Sequence, residues 1–476
     1  MPVVIAVAVP HPPLIVPGVG HGREREIQPT VDAYREVARR VAALEPDTIV
    51  ISSPHTAMYL DYLHIAPEPG ARGTFARFGD PADGSHVTYD EELVDELCRL
   101  AREEGLPAGT AGERERDLDW GVLVPLHFIQ SAYDALSAAG QEPTPYRVVR
   151  MGISGLSPMQ HYRMGMLVAR AAGRLGRRVA YVASGDLSHK LAADGPYGFS
   201  PDGPVFDELV CRALGSGDFL SLLTADPGLC ERAAECGLRS FQIMAGALDR
   251  TPVAAELLSH EGPFGVGYGV ACFLPSGPEG SDPARAFGET YEAWHAADME
   301  RRRSGEDAYV ALARASLEHR VRAGRRLPVP DGLPPELLSR RAGAFVSLTK
   351  NGQLRGCIGT IAPTRGSLAE EIVANAVSAG LHDPRFPPVT AEELPELVYD
   401  VDVLGDPEPV EGRAGLDPRR YGVIVSAPGG RRGLLLPDLD GVDTVEKQLR
   451  IAARKGGIAL TEEGVSIERF VVERHR

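Results

Sequence analysis

Residues 178–189 read RVAYVASGDLSH. Val179 to Ala183 is an uncharged apolar run, broken by Ser184-Gly185-Asp186, with His189 arriving a few residues beyond. In α/β proteins, functional crevices lie outside the carboxyl ends of parallel strands, so this is how such a fold presents a reactive imidazole. Two more histidines follow apolar runs in the same manner. Val3 to Val9 ends in Pro10-His11-Pro12-Pro13, and Asp47 to Ser53 (DTIVISS) ends in Pro54-His55. Continuous rather than alternating apolar character predicts strands buried on both faces.

Working outward, helical spacing over Thr30–Leu44 links the first two strands into a right-handed βαβ unit. Glu91–Glu104 and Pro158–Leu175 are further amphipathic helices, and residues 111–117 form a charged, exposed stretch. Tyr146–Ile153 reads as a third central strand, Pro204–Leu223 and Cys230–Leu248 as helices, and Phe264–Leu274 as a closing strand. Alternating strands and helices predict an α/β fold for residues 1–275: a doubly wound, mostly parallel sheet with helices on both faces. From Pro275 the composition turns polar, so 276–304 is expected to be a linker with a connector helix. Residues 305–476 read as an α+β domain. It has a helix near Ala308, a hairpin about Lys350-Asn351-Gly352, a helix over Ser367–Ala379, three strands and a terminal helix over Thr444–Lys455.

Composition narrows the function. The chain has 476 residues and 50 basic against 66 acidic side chains, a net charge of −16. Nonspecific nucleic-acid binding, which needs a basic surface, is disfavoured. No apolar run approaches the roughly 20 residues that span a bilayer, and MPVVIAVAVPHPP is expected to be a first strand rather than a signal peptide. Six cysteines without a CxxC pair suit reduced thiols in a cytoplasm.

His11, His55 and Glu235 could form the two-histidine, one-carboxylate facial triad of non-haem Fe(II) oxygenases, with His189 beside it to take a proton from a phenol. Each residue alone has an ordinary structural use. A histidine between prolines can close a strand, Asp186 and Ser188 can form turns, and Glu235 can be a solvated helix residue. Three histidines at three strand ends are what point to a site. Phe264–Gly269 (FGVGYG) lacks the spacing of a nucleotide loop, and His260-Glu261 reads as an unassigned loop pair.

PHPPL at Pro10–Leu14, SSPH at Ser52–His55, SGDLSH at Ser184–His189 and ECG at Glu235–Gly237 together resemble the class III extradiol dioxygenases, the family of protocatechuate 4,5-dioxygenase β subunits and of Memo-related proteins. The resemblance implies His11, His55 and Glu235 as ligands of Fe(II), or of another divalent metal such as Zn or Mn, and His189 as the acid/base. Cys236 competes with Glu235, because Memo-like relatives carry cysteine in this region. The implied substrates are a small aromatic diol and dioxygen. Asp119-Trp120-Gly121 stands where many members read Asp-His-Gly; Trp120 then becomes a candidate to stack on substrate or a core aromatic, and His127 lies one or two helical turns on. LRGCIG at Leu354–Gly359 and HDPRFPPV at His382–Val389 resemble the AMMECR1 domain. Arg355, Cys357, Asp383 and Arg385 are its charge-bearing or reactive candidates, with a buried strand residue and a turn as the structural readings of Cys357 and Asp383. The resemblances add a homodimer and a radical-SAM protein as candidate partners, and a Memo-like redox or maturation factor as the alternative to ring cleavage.

Overall fold

The continuous apolar runs become four adjacent parallel strands: β1 (Val3–Val9), β2 (Thr48–Ser53), β3 (Arg147–Gly152) and β4 (Val179–Ser184). In the computed structural model, which describes residues 2–476 except 68, 113, 115, 116, 411 and 440, their order is β3-β2-β4-β1. Residues 113, 115 and 116 of the charged stretch 111–117 thus lie outside the described residues. Beside β1 run two antiparallel strands, β6 (Tyr268–Pro275) and then β5 (Val253–Glu261) at the edge.

Burial explains why the strands read as unbroken apolar runs. Ala6, Ala8, Val50, Tyr181 and Ala183 pack into one core. Ile5, Val7, Ile49, Ile51 and Val182 face a second core on the other side of the sheet. Helices Pro158–Leu175 and Leu238–Ala247 contribute to the first core, and helices Gln28–Ala43 and Trp120–Ala138 to the second. A mostly parallel mixed sheet with helices on both faces is the result.

Several expectations are corrected. The run expected to be a third central strand is β3, an edge strand of this sheet. It looks central because its outward backbone is used: Ala66 and Asp90 donate their N–H groups to the carbonyls of Arg150 (3.0 Å) and Val148 (2.9 Å). His260-Glu261 is not a loop pair but the end of β5, whose side chains alternate between partly buried and exposed over much of its length. There His260 Nε2 lies 2.8 Å from Asp207 Oδ2, and Glu261 accepts the Thr30 N–H at 2.8 Å. The region 204–223 is two helices, Asp202–Ser216 and Phe219–Leu223, parted at Gly217 with φ 72°. The region 230–248 is likewise two, Pro227–Ala233 and Leu238–Ala247. Ala234, at φ 54°, ends the first of these in a left-handed turn.

The chain divides into two compact units, Met1–His295 and Ala296–Arg476, a boundary inside the helix Phe287–Gly305. The second unit is strand-rich, with two four-stranded antiparallel sheets. Its first hairpin turns at Asn351 (φ 52°) and Gly352 (φ 77°), the doubly left-handed geometry that Asn-Gly favours. Helix Val445–Lys455 is not terminal, since strands Ser466–Phe470 and Val472–His475 follow and join one sheet each. No helix among the described residues is long and apolar enough to cross a membrane.

Candidate metal centre

Register sets the site. In parallel pairing Val9 stands level with Ser184, and Ser52 with Ala183. The residues just past these ends, His11, Asp186 and His55, therefore emerge side by side. The two imidazoles meet with Nε2 atoms 3.0 Å apart and rings nearly perpendicular. His11 is anchored twice: its backbone N–H donates to Asp186 Oδ1 at 2.8 Å, and its Nδ1 lies 3.0 Å from Ser184 Oγ. An Nδ1–H donated to Ser184 leaves the Nε2 lone pair facing His55, the arrangement expected of a metal-ligating histidine.

The third group comes from the helix break. After Ala234 the chain crosses the end of β4, where Gly237 donates its N–H to the Asp186 carbonyl (3.0 Å). The crossing requires two glycines: a Cβ on Gly185 would stand 2.1 Å from the Gly237 Cα, and one on Gly237 would meet the Phe241 ring at 2.7 Å. This contact delivers Cys236 Sγ to 3.7 Å from His11 Nε2, with the Asp186 N–H 3.3 Å from the sulfur. Ligand atoms of His11, His55 and Cys236 all lie within 4.8 Å of one another.

Glu235 is not brought into this group. Its carboxylate accepts the Leu238 N–H at 2.7 Å, capping the helix that follows. One residue of phase decides the matter, because in this tight crossing successive side chains point in different directions.

The spacing fits a cation. Two imidazole nitrogens about 2.1 Å from one ion at a right angle stand about 3.0 Å apart, and a nitrogen and a thiolate at a tetrahedral angle about 3.6 Å apart. Electrostatics agree. Burial, with the His189 charge second, lowers His11 to about 3. Burial, then the charges of His11, His189 and Arg77, lowers His55 to about 3. Both rings are therefore neutral donors. Burial pushes the Cys236 thiol up, with the charges of Asp186 and Glu235 adding to it; a bound cation reverses that preference, since a coordinating thiol is deprotonated. Burial also raises Asp186 to about 6.

His189 sits half-buried on the same side. Its N–H donates to the Ala233 carbonyl (3.1 Å), its Nδ1 bonds the Ala234 carbonyl, and Tyr197 meets its ring edge-on. A carbonyl accepts only from a nitrogen that bears a proton, so Nδ1 carries one. Trp120 stacks on His55 at 3.9 Å, so an indole face that sequence reasoning offered to a substrate ring is taken by the imidazole. Ser53 supports the same histidine, accepting its backbone N–H (3.2 Å) while donating to Asp119 Oδ1 (2.6 Å). His127 is elsewhere: it pairs with Asp83 at 2.8 Å and lines a separate cavity of about 900 Å³ between helices Gln28–Ala43 and Trp120–Ala138. A cleft of about 840 Å³ opens on His55 and Trp120, walled by the hairpin of strands Gly70–Phe75 and Asp80–Thr88. Residues 56–90 carried no assignment from sequence, and the hairpin's many exposed polar side chains are why.

In the second unit three of the four candidates form one hydrogen-bonded group, and Arg355 is tied elsewhere. Cys357 donates its N–H to Asp383 Oδ2 (2.9 Å), Arg385 clamps Asp383 and the Cys357 carbonyl, and Arg355 makes a two-pronged pair with Glu393. The Arg385 guanidinium holds the Asp383 carboxyl well below the usual range. Gly356 is a close-approach position, as a Cβ there would meet the Ala379 carbonyl at 2.2 Å.

Residues 5–271 match the family model described as the catalytic LigB subunit of aromatic ring-opening dioxygenase. The chain belongs to the LigB family. Residues 310–475 match the AMMECR1 model, so a LigB-family unit is fused to an AMMECR1 domain. A protein of Clostridium acetobutylicum is 38% identical over 479 residues, covering 98% of each chain. A Thermotoga maritima protein is 54% identical over 173 residues, 36% of this chain and 99% of its own. Among solved structures, an uncharacterized Pyrococcus horikoshii protein is 32% identical and covers 35% of this chain and 88% of its own, with a TM-score of 0.33.

Proposed function

We propose that the LigB-family unit is a metal-dependent enzyme that opens a catecholic ring with dioxygen, using His11, His55 and Cys236 as protein ligands and His189 as the proton handler. The convergence of two neutral imidazole nitrogens, beyond the ends of β1 and β2 on either side of β4, with the thiol of the crossing after Ala234 carries this reading. When bound, the cation, Fe(II) for this chemistry, supplies Lewis acidity toward the diol and the redox capacity that dioxygen requires. The chain supplies the rest. His189, its Nδ1–H held by Ala234, presents Nε2 to take a phenolic proton. Trp120 fixes the plane of His55, and Asp186 and Ser184 fix His11. Burial of His11 keeps bulk water from its imidazole. Both atoms of dioxygen enter the ring-opened product.

Cys236 favours a second reading, a Memo-like metal or redox factor without ring cleavage. A thiolate is softer than the carboxylate of a facial triad and suits copper or zinc as well as iron. Elemental analysis of anaerobically purified full-length protein tests the shared part: about one metal per chain, lost in His11→Ala, His55→Ala and Cys236→Ser, is expected, and protein that takes up no metal under any loading would sink both readings. Iron-loaded protein is then offered a panel of catechols while oxygen uptake is followed. A ring-fission product selects the enzyme; metal binding without it selects the factor.

A further inference from the structure

Away from the metal centre, a thiol, an imidazole and a buried carboxylate meet on one cavity. Helix Asp202–Ser216 presents Asp207 and Cys211 one turn apart, on the same face. The end of β5 packs against that helix and brings His260, whose Nε2 stands 2.8 Å from Asp207 Oδ2. Asp207 is buried, and its other oxygen accepts the Ser188 N–H at 2.8 Å. Gly267 leaves the carboxylate room, since a Cβ there would stand 2.1 Å from Oδ2. With that carboxylate fixed beside it the imidazole keeps its proton: the hydrogen bond to Asp207, and after it one to Cys211, raise His260 to about 10. All three line a cavity of about 570 Å³ floored by Leu191, Pro204 and Leu257. The other charged groups on it, Glu208 and Arg212, are largely exposed and lie 3.9 Å from each other.

These groups are strung out rather than gathered. Among the described residues only His11, His55 and Cys236 bring ligand atoms within 4.8 Å of one another, so Asp207, His260 and Cys211 do not close on an ion. A carboxylate, an imidazolium and a thiol in sequence is instead an arrangement that activates a sulfur nucleophile. Acyl transfer does not suit it. Cys211 lies inside the helix, where backbone N–H groups are spent on carbonyls one turn back and none is free to hold an oxyanion. The chemistry that fits is a displacement whose leaving group needs only a proton. We propose that Cys211, with His260 and Asp207, is a thiol site for small hydroperoxides. The Cys211 thiolate attacks the terminal oxygen of the hydroperoxide, an S–O bond forms and the O–O bond breaks. Sulfur gives up two electrons to that oxygen pair. The leaving alkoxide, or hydroxide from hydrogen peroxide, takes the His260 proton and departs as alcohol or water. Cys211 is left as a sulfenic acid beside a neutral imidazole. Asp207 is a positioning residue, holding the ring that donates the proton.

Hydrogen peroxide and iodoacetamide, applied separately to the full-length protein with a chelator present, test this. Peptide mass spectrometry reads the rate at each cysteine, with dimedone trapping the sulfenic acid in the peroxide arm. Cys230 is the internal standard, a thiol of similar partial exposure that burial pushes up to about 12. Peroxide should modify Cys211 at least about ten-fold faster than Cys230. Iodide leaves without a proton whereas hydroxide needs one. His260→Gln should therefore slow the peroxide reaction of Cys211 about ten-fold more than it slows alkylation, and Asp207→Asn should follow it. The comparison of cysteines within the parent chain holds even where a variant fails to fold. A peroxide rate at Cys211 no greater than that at Cys230, or peroxide and alkylation rates that change in equal proportion in His260→Gln, overturns the proposal.

Discussion

Replacing Gly185 by alanine tests the way the thiol is delivered. The added Cβ would stand 2.1 Å from the Gly237 Cα and 3.1 Å from that residue's N and C atoms. Carbon–carbon contact is comfortable from about 3.5 Å, so the two segments must separate by roughly 1.4 Å. The β4 end is held in the sheet by the Gly185 N–H to Val9 carbonyl bond of 2.9 Å, so the connector carrying Cys236 is the part that yields. Metal–ligand distances tolerate only about 0.2 Å, and a sulfur displaced several times that far no longer completes the site. The expected result is metal affinity about 10- to 100-fold weaker, alongside a stability cost of about 1–3 kcal/mol for overpacking. Competition with a chromophoric chelator reads the first quantity and urea unfolding of metal-free protein the second. Gly237→Ala, which pushes against Phe241 and the Asp186 carbonyl from the other side, should behave alike. Parental metal affinity in both variants would refute the reasoning, because the sulfur would then not depend on that crossing.

Glu235→Ala should leave metal stoichiometry intact and cost about 1 kcal/mol through loss of the cap on helix Leu238–Ala247, read by chelator competition and denaturant unfolding; loss of the metal would show that the carboxylate is a ligand after all. His260, raised from 6.5 to about 10 chiefly by its hydrogen bond to Asp207, binds its proton more tightly folded than unfolded. Its stabilisation is therefore complete below pH 6.5 and is lost as pH rises through about 10, so unfolding free energy should fall across that window and His260→Gln should flatten the fall. In the second unit Glu306→Gln removes the main partner of the buried Arg314, whose guanidinium lies 4.5 Å from the Tyr399 ring centre. A loss of about 3 kcal/mol is expected by calorimetric unfolding, and a loss below 1 kcal/mol would mean Arg314 is already solvated.

The strands and the histidines behind them were legible because burial on both faces writes an unbroken apolar run, and register then brings neighbouring ends level. What stayed hidden follows from the same physics. Strand β5 has one partly exposed side, so VAAELLSHE mixes charges into its run and resembles a loop. The break at Ala234 was invisible because Ala-Ala-Glu-Cys is a good helix-forming stretch. The left-handed turn at Ala234 accompanies the close tertiary approach of Gly185 and Gly237, which a local reading does not contain. Choosing between Glu235 and Cys236 required that turn, since either residue could face the histidines in a continuous helix. Family membership was readable from short motifs, whereas the stacking of Trp120 on His55 needed coordinates.

The strand order has a consequence for biosynthesis. β4 lies between β1 and β2, so His11 and His55 are set side by side only after residues 179–184 have been inserted between them. A nascent chain that has emerged as far as Ala138 carries both histidines without the strand that aligns them or the thiol that joins them. The pocket of His11, His55 and Cys236 therefore cannot assemble before Cys236 has left the ribosome, when about half of the chain is still to be made.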